Sequence, residues 1–264
     1  MTARSEATGR GRPTTGCLED MTWRDVADAI GDEVPIALPV GSIEQHGHHM
    51  PLGTDAFLAY ELARRVGERH PLVIAPPLFY ASRTQPRAGG YGRQFAGSTG
   101  ICGSTLTSVC HDVLSDFLRQ GFRKVLILNG HMENAPFVWE ALEALKDGGA
   151  DGKFVLVNWW EQIREEDLPH LFPEGFPGWE AEHAGVVETS LMEELLPQKV
   201  RSDLKTDNPL MRILTYDVLP TPDDIVPPTG VPCRSTPASA EIGRYLVPLL
   251  VERITAIVLE EFQQ

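Results

Sequence analysis

Two stretches of this chain concentrate side chains that bind metals or carry protons. The first, Gly41-Ser-Ile-Glu-Gln-His-Gly-His-His-Met-Pro-Leu-Gly-Thr-Asp55, holds three His, one Glu and one Asp. The second, Asn129-Gly-His-Met-Glu-Asn134, adds His131 and Glu133. Glu44, His46, Asp55, His131 and Glu133 make two imidazoles and three carboxylates. Such an N/O donor set, free of thiolates, suits Zn²⁺ or Mn²⁺. Five ligands with one shared carboxylate match two ions ~3.5 to 4 Å apart, which lower the pKa of a common water and polarise a carbonyl. Asp55 is the candidate bridge. Glu44 and His46, two apart, point the same way in extended backbone. Taken alone, the first stretch also reads as a polar surface loop.

Further along, Glu182 and His183 form a candidate general acid/base pair, because an imidazole can deliver a proton to a departing amide nitrogen near pH 7. The competing reading makes His183 the cap of a helix that begins at Ala184. Trp159, at a strand end, and Trp179, in a Gly/Pro-rich loop, are candidate flat walls for a small planar substrate. Glu188 is expected to turn inward on its helix as a partner of a metal ligand. His48, His49, His70, His111 and His170 are assigned to the surface or to the surroundings of the ligands.

These residues need a scaffold, and the apolar pattern supplies one. Val34–Val40, Leu72–Ala75, Lys124–Leu128 and Phe154–Val157 are short apolar runs bounded by turn residues, as in strands buried on both faces. Between them lie helical patterns: Trp23–Ile30 capped by Thr22, a run from Asp55 through Leu58, Leu62 and Val66 capped by Thr54, and Ser104 to Gly121 with Leu106, Cys110, Val113 and Phe117 on one face. Helices also follow Asn134 to about Lys146, run through Val186, Leu191 and Leu195 to Pro197, and span Pro237 to Phe262 with Pro248 a candidate kink. The alternation predicts an α/β fold, a three-layer α/β/α single domain with a mainly parallel sheet. Phe79–Gly103 is too long for a plain connector and reads as a functional loop, while 198–235 reads as extended surface chain. The ligands fall at the C-terminal ends of strands, where open α/β sheets carry their sites.

Composition narrows the class. The 264 residues, 42% apolar and 23% charged, fit one globular domain. A formal charge of −14 argues against a nucleic-acid partner, and no apolar run approaches the ~20 residues of a membrane span. Cys17, Cys102, Cys110 and Cys233 show no CxxC spacing, which fits a reduced, cytoplasmic setting. Residues 1–17 have no signal-peptide apolar region and read as a disordered tail ahead of a domain spanning 18–264.

In order along the chain, Leu38-Pro-Val-Gly-Ser-Ile-Glu-Gln-His-Gly-His-His-Met50, Asn129–Asn134, and Phe172-Pro-Glu-Gly-Phe-Pro-Gly-Trp-Glu-Ala-Glu-His-Ala-Gly-Val-Val-Glu-Thr-Ser-Leu-Met192 resemble the creatininase (creatinine amidohydrolase) family. The resemblance runs from about Leu18 to the C terminus, and Glu133 and the Trp-x-x-Glu-His segment tie it to creatininase rather than to its wider superfamily. It implies conversion of creatinine and water to creatine by attack of metal-bound hydroxide on the lactam carbonyl. It also implies two Zn²⁺ and/or Mn²⁺ ions, one on Glu44, Asp55 and His131 and the other on His46, Asp55 and Glu133. His183 is then the proton donor, Glu182 a substrate contact, and Trp159 and Trp179 close over the ring. A homohexamer is the assembly implied. The chain departs from the family at Met132, where a substrate-contacting Tyr is expected, and in Ala88–Thr99, where Gln94 and Ala96 replace His and Pro. These changes open the alternative of another amide, such as a formamide or cyclic ureide. A non-catalytic metal-binding relative would have lost a ligand or His183, and all are present.

Overall fold

Five apolar runs align as parallel strands: β1 (Gly16–Cys17), β2 (Ile36–Val40), β3 (Val73–Ile74), β4 (Lys124–Asn129) and β5 (Lys153–Asn158), in the order β1-β3-β2-β4-β5. The computed structural model describes residues 16–85, 92–219, 222 and 225–263. Register carries a consequence for the site: Val40 pairs with Asn129, and Asn129 with Asn158, so the three strands end level with one another.

Strand residues alternate between two cores. Ala37, Ile74, Leu126, Leu128 and Val157 pack on one face and Ile36, Leu38, Val73, Val125 and Ile127 on the other. The second face is covered by α1 (Trp23–Gly31), α3 (Gly103–Gln120) and α4 (Ala135–Asp147), through Ala29, Leu106, Cys110, Val138 and Leu142. The first is covered by α2 (Thr54–Gly67), α6 (Val186–Leu195) and α7 (Ala240–Phe262), through Leu58, Leu62, Leu191, Leu250 and Ile254. A short α5 (Leu168–Leu171) lies ahead of α6. Three α/β/α layers with a parallel sheet result, as the alternating pattern predicts.

Local chemistry accounts for two boundaries plainly. Thr22 and Asp25 form a reciprocal capping box at α1, and Gly121, at φ +121°, stops α3. Two expected caps shift by a residue or two. Thr54 is the first residue of α2 after Gly53, and its hydroxyl donates back to Pro51 O at 2.7 Å. Ser104 lies inside α3, whose cap position is Cys102. The expected tail is also shortened, since Gly16 and Cys17 pair with β3 as an edge strand; residues 1–15 lie outside the described residues. Pro248 sits within α7, which continues through it. The segment after α6 folds back on itself through Asn208 N–H to Cys233 O and Met211 N–H to Pro232 O, and its Met211, Leu214, Ile225 and Val226 pack on Ala181. It therefore buttresses the loop that carries Glu182 and His183. No described helix is long and apolar enough to cross a membrane.

Candidate metal centre

β3 lies on one side of β2 and β4 on the other, so the loops leaving β2 and β4 part and open a crevice. Two glycines admit the first turn of α2 into it. A Cβ at Gly41, just past β2, would stand 2.1 Å from Ala56 N, and one at Gly130, just past β4, would stand 2.4 Å from Asp55 O. Only glycine permits this backbone approach, and it aims Asp55 into the crevice.

The buried Asp55 carboxylate meets both predicted imidazoles: Oδ1 is 2.9 Å from His46 Nε2 and Oδ2 is 3.2 Å from His131 Nδ1. Ser42 donates its hydroxyl to Oδ2 at 2.7 Å. Glu44 Oε1 stands 3.0 Å from His131 Nδ1, and the Thr84 hydroxyl donates to Glu44 Oε2. On the other side Glu188 Oε2 is 3.7 Å from His46 Nε2. Donor atoms of Glu44, Asp55 and His131 converge within 4.8 Å, as do those of His46, Asp55 and Glu188. Asp55 belongs to both sets. A third set, Glu44, His46 and His183, overlaps them.

Glu133 is placed differently. Met132–Asn134 forms a 3-10 turn, which carries Glu133 to the opposite nitrogen of His131, 3.3 Å from Nε2. There Gln85 N–H donates to Glu133 Oε1 at 2.6 Å. The combination of His46, Asp55 and Glu133 that the resemblance implied is thus not one of the convergent sets; the second carboxylate beside His46 is Glu188.

The donor chemistry fits divalent cations. His46 Nε2 and His131 Nε2 are buried and make no hydrogen bond. His46 Nε2 faces Asp55 at 2.9 Å without hydrogen-bond geometry, so two electron-pair donors are directed at shared space. Glu44, Asp55, Glu133, Glu182 and Glu188 all line the pocket, and no Lys or Arg does among the described residues. Buried carboxylates in such number are costly unless cations join them. Burial alone pushes the Asp55 carboxyl up, but His46 and His131 hold it well below the usual carboxylate range. Glu182 lacks such neighbours. Burial drives it well above that range against the Val187 N–H, and the Glu188 charge adds to the shift.

His183 presents one ring face to His46, with centroids 4.4 Å apart. Its Nε2 lies 2.7 Å from Gln45 O. The Gln45 amide nitrogen is also 2.9 Å away, but it donates to Gly230 O at 2.8 Å. The backbone carbonyl therefore assigns the proton to Nε2 and leaves Nδ1 as acceptor, 3.8 Å from Glu44 Oε1. Trp159, Trp160, Trp179 and Met132 wall a cavity of about 50 Å³. Trp159 is buried with its indole N–H unpaired, Trp179 packs edge-on to Phe176, and Met132 is 36% exposed at the rim.

A buried amide network locks the strand ends. Asn134 accepts from the Ser82 N–H and hydroxyl and donates to Gly41 O and Asn129 Oδ1. Asn129 in turn donates to His131 O and Asn158 Oδ1. Sequence reading missed Ser42, Gln45, Thr84, Gln85, Asn134 and Trp160 as site residues. Ser42, Gln45 and Asn134 lie inside the two motifs, so proximity was an available signal; Thr84 and Gln85 had only their place in the long Phe79–Gly103 loop. Residues 88–91 of that loop's departure from the family lie outside the described residues.

Buried imidazoles and carboxylates at the switch point of a parallel sheet define a metal-site protein of the three-layer α/β class. The sequence pattern of the creatininase family, described as creatinine amidohydrolase, matches residues 19–258. The chain belongs to the creatininase family. It is 37% identical over 251 residues to a creatinine amidohydrolase of Pseudomonas putida, covering 92% of this chain and 96% of that one. A 3-dehydro-scyllo-inosose hydrolase of Thermotoga maritima is 26% identical over 95% of this chain and 86% of its own. Solved structures agree. A creatininase variant complexed with creatine has a TM-score of 0.90 at 33% identity, over 95% of this chain and 100% of that one. A manganese creatininase has 0.90 at 34% over 95% and 100%, and a Zn-Zn creatininase variant 0.89 at 34% over 94% and 98%.

Proposed function

We propose that this chain is a divalent-metal amidohydrolase that opens the lactam of creatinine to give creatine. The observation that carries the reading is Asp55 standing between His46 and His131, each imidazole also faced by a further carboxylate, in a pocket lined by no Lys or Arg among the described residues. The creatinine amidohydrolase relative and the Zn-Zn and manganese creatininases support it. Two Zn²⁺ or Mn²⁺ ions would supply Lewis acidity toward the carbonyl and toward a shared water. Glu44, Asp55 and His131 would hold one, and His46, Asp55 and Glu188 the other. Glu133 faces the free nitrogen of His131, the position from which a carboxylate orients a metal-bound imidazole.

Lactam hydrolysis adds water at the carbonyl carbon, breaks the C–N bond and moves a proton to the departing nitrogen. His183 Nδ1, kept as acceptor by the Nε2 bond to Gln45 O, takes that proton and delivers it. Glu182, whose carboxyl burial pushes well above the usual range, faces the same pocket as a hydrogen-bonding partner for a guanidine nitrogen of the ring, and the unpaired Trp159 N–H offers a donor there. A second reading, hydrolysis of a formamide or cyclic ureide, is favoured by Met132, which puts a thioether at the rim where the family pattern places a hydroxyl. The family does hold relatives named for other substrates, and fold alone does not choose among them.

The deciding experiment measures kcat/KM of Mn²⁺- and Zn²⁺-loaded protein for creatinine, hydantoins and formamides. Creatinine turnover that rises in Met132→Tyr is expected, by the worth of one hydrogen bond, roughly 0.5 to 1.5 kcal/mol. No creatinine turnover alongside ready cleavage of another amide would leave only the second reading. Residues 18–264 act in this proposal as one domain. The four unpaired cysteines support a cytoplasmic setting, and exposed Trp23 and Trp139 support self-association, with a homohexamer expected by light scattering.

A further inference from the structure

His49 is buried, yet it binds nothing in the centre just described. Its Nε2 lies 2.8 Å from the hydroxyl of Thr189, the residue next to Glu188 on α6, and its Nδ1 is buried without a partner. An unpaired buried N–H is rarer and costlier than an unpaired acceptor, so the proton belongs on Nε2 and His49 donates to Thr189. The Thr189 hydroxyl then donates onward to Ala184 O, 3.4 Å away. Ala184 itself has φ +52°, a left-handed conformation that is strained for a non-glycine residue. In that conformation its carbonyl faces Thr189 while its N–H donates to Glu188 Oε2 at 2.7 Å. The same Oε2 is the atom 3.7 Å from His46 Nε2.

A path thus runs from the His49 ring through the Thr189 hydroxyl to the Ala184 carbonyl, and from the N–H of the same left-handed residue to the Glu188 carboxylate. It starts three residues after His46 and ends facing His46, so it fastens the loop after β2 to α6. Arg201 adds a second fastening, with its N–H on His49 O at 2.8 Å and its guanidinium on His48 O at 2.7 Å. An imidazole with one nitrogen unsatisfied, next to a strained peptide, costs stability on both counts. Packing would be served better by an apolar side chain.

We propose that His49 is a positioning residue: through Thr189 and the left-handed Ala184 it holds Glu188 against His46 and so sets the affinity of that half of the centre for a divalent ion. The proposal rests on the two-ion reading above. Its test is metal content and Mn²⁺ and Zn²⁺ titration of folded His49→Leu, Thr189→Val and the double variant, beside the conservative His49→Gln and Thr189→Ser. Loss of outer partners of metal ligands typically weakens affinity by about 10- to 100-fold. Each single variant is expected to lose that much at one ion only, the double variant to be no worse than the singles, and the conservative pair to retain both ions. Thr189→Val is near-isosteric and keeps the test sound if His49→Leu fails to fold. A structural role alone would lower the metal-free melting temperature and leave the affinity of both ions unchanged, which overturns the proposal. Wild-type protein that never takes a second ion would overturn the two-ion reading and this role with it.

Discussion

Asp55 does at residue scale what no other described side chain does, giving one oxygen to each imidazole. Asp55→Ala is therefore expected to lose both ions, whereas Glu188→Gln loses one and Glu133→Gln keeps two; metal analysis of the purified proteins reads all three. A Glu133→Gln protein that drops an ion while Glu188→Gln holds both would restore the ligand set implied by the family resemblance. His183 stands apart from this prediction because its Nε2 is committed to a backbone carbonyl. His183→Asn should retain the metals while kcat falls by about 10²-fold or more, the usual scale for a positioned acid/base group. Activity within a few-fold of wild type would assign the proton transfer elsewhere. Much of this was legible in the sequence because Glu44, His46, Asp55, His131 and Glu133 lie in two dense motifs. Glu188 was expected to face inward as a partner of a metal ligand, not as a ligand itself. Helical periodicity tells which way a side chain turns, not which loop it will meet across the molecule, and only the packing of α6 against the loop after β2 supplies that distance.

Among the elements, the decisive contact is between α2 and the ends of β2 and β4. A methyl group at Gly41 would collide with the backbone of Ala56 and Asp55, and a helix cannot yield as a flexible side chain would. Gly41→Ala should displace the α2 start, cost about 1 to 3 kcal/mol as overpacking does, and weaken both ions together. Gly31, at the end of α1, has nothing within 4 Å of where a methyl group would stand; Gly31→Ala is expected to gain roughly 0.4 to 1 kcal/mol instead. Denaturant midpoints of the two variants, with metal content, separate a steric cause from any general intolerance of alanine. Strand and helix assignments from periodicity agree well with the fold, since β2, β4 and α3 carry unbroken apolar patterns. The misplaced starts of α2 and α3 share a cause: Thr54 and Ser104 are good cap types, but Thr54 spends its hydroxyl on Pro51 O and neither residue occupies the cap position. β1 escaped notice because two residues are too few to show alternation.

Over the whole molecule, the centre joins one helical layer to the sheet, for its proposed ligands come from strand-end loops and from α2 and α6, which cover the same face. Ions bound there tie α6 and α2 to the strands, so they should stabilise the entire fold by mass action. A ligand present at a hundred times its Kd adds roughly 2.7 kcal/mol. Chelator-treated protein is expected to melt at lower temperature, with the melting point climbing as Mn²⁺ or Zn²⁺ is returned. A melting point indifferent to chelation and to added metal would mean that these ions contribute nothing to the fold. One half of the centre is complete in the chain by His131, whereas the other waits for Glu188. A polypeptide grows from its N terminus, and N-terminal segments are free to organise first. Birth on the ribosome therefore gives the two positions different histories: one can take its ion from a partly made chain, and the other exists only once translation has passed α6.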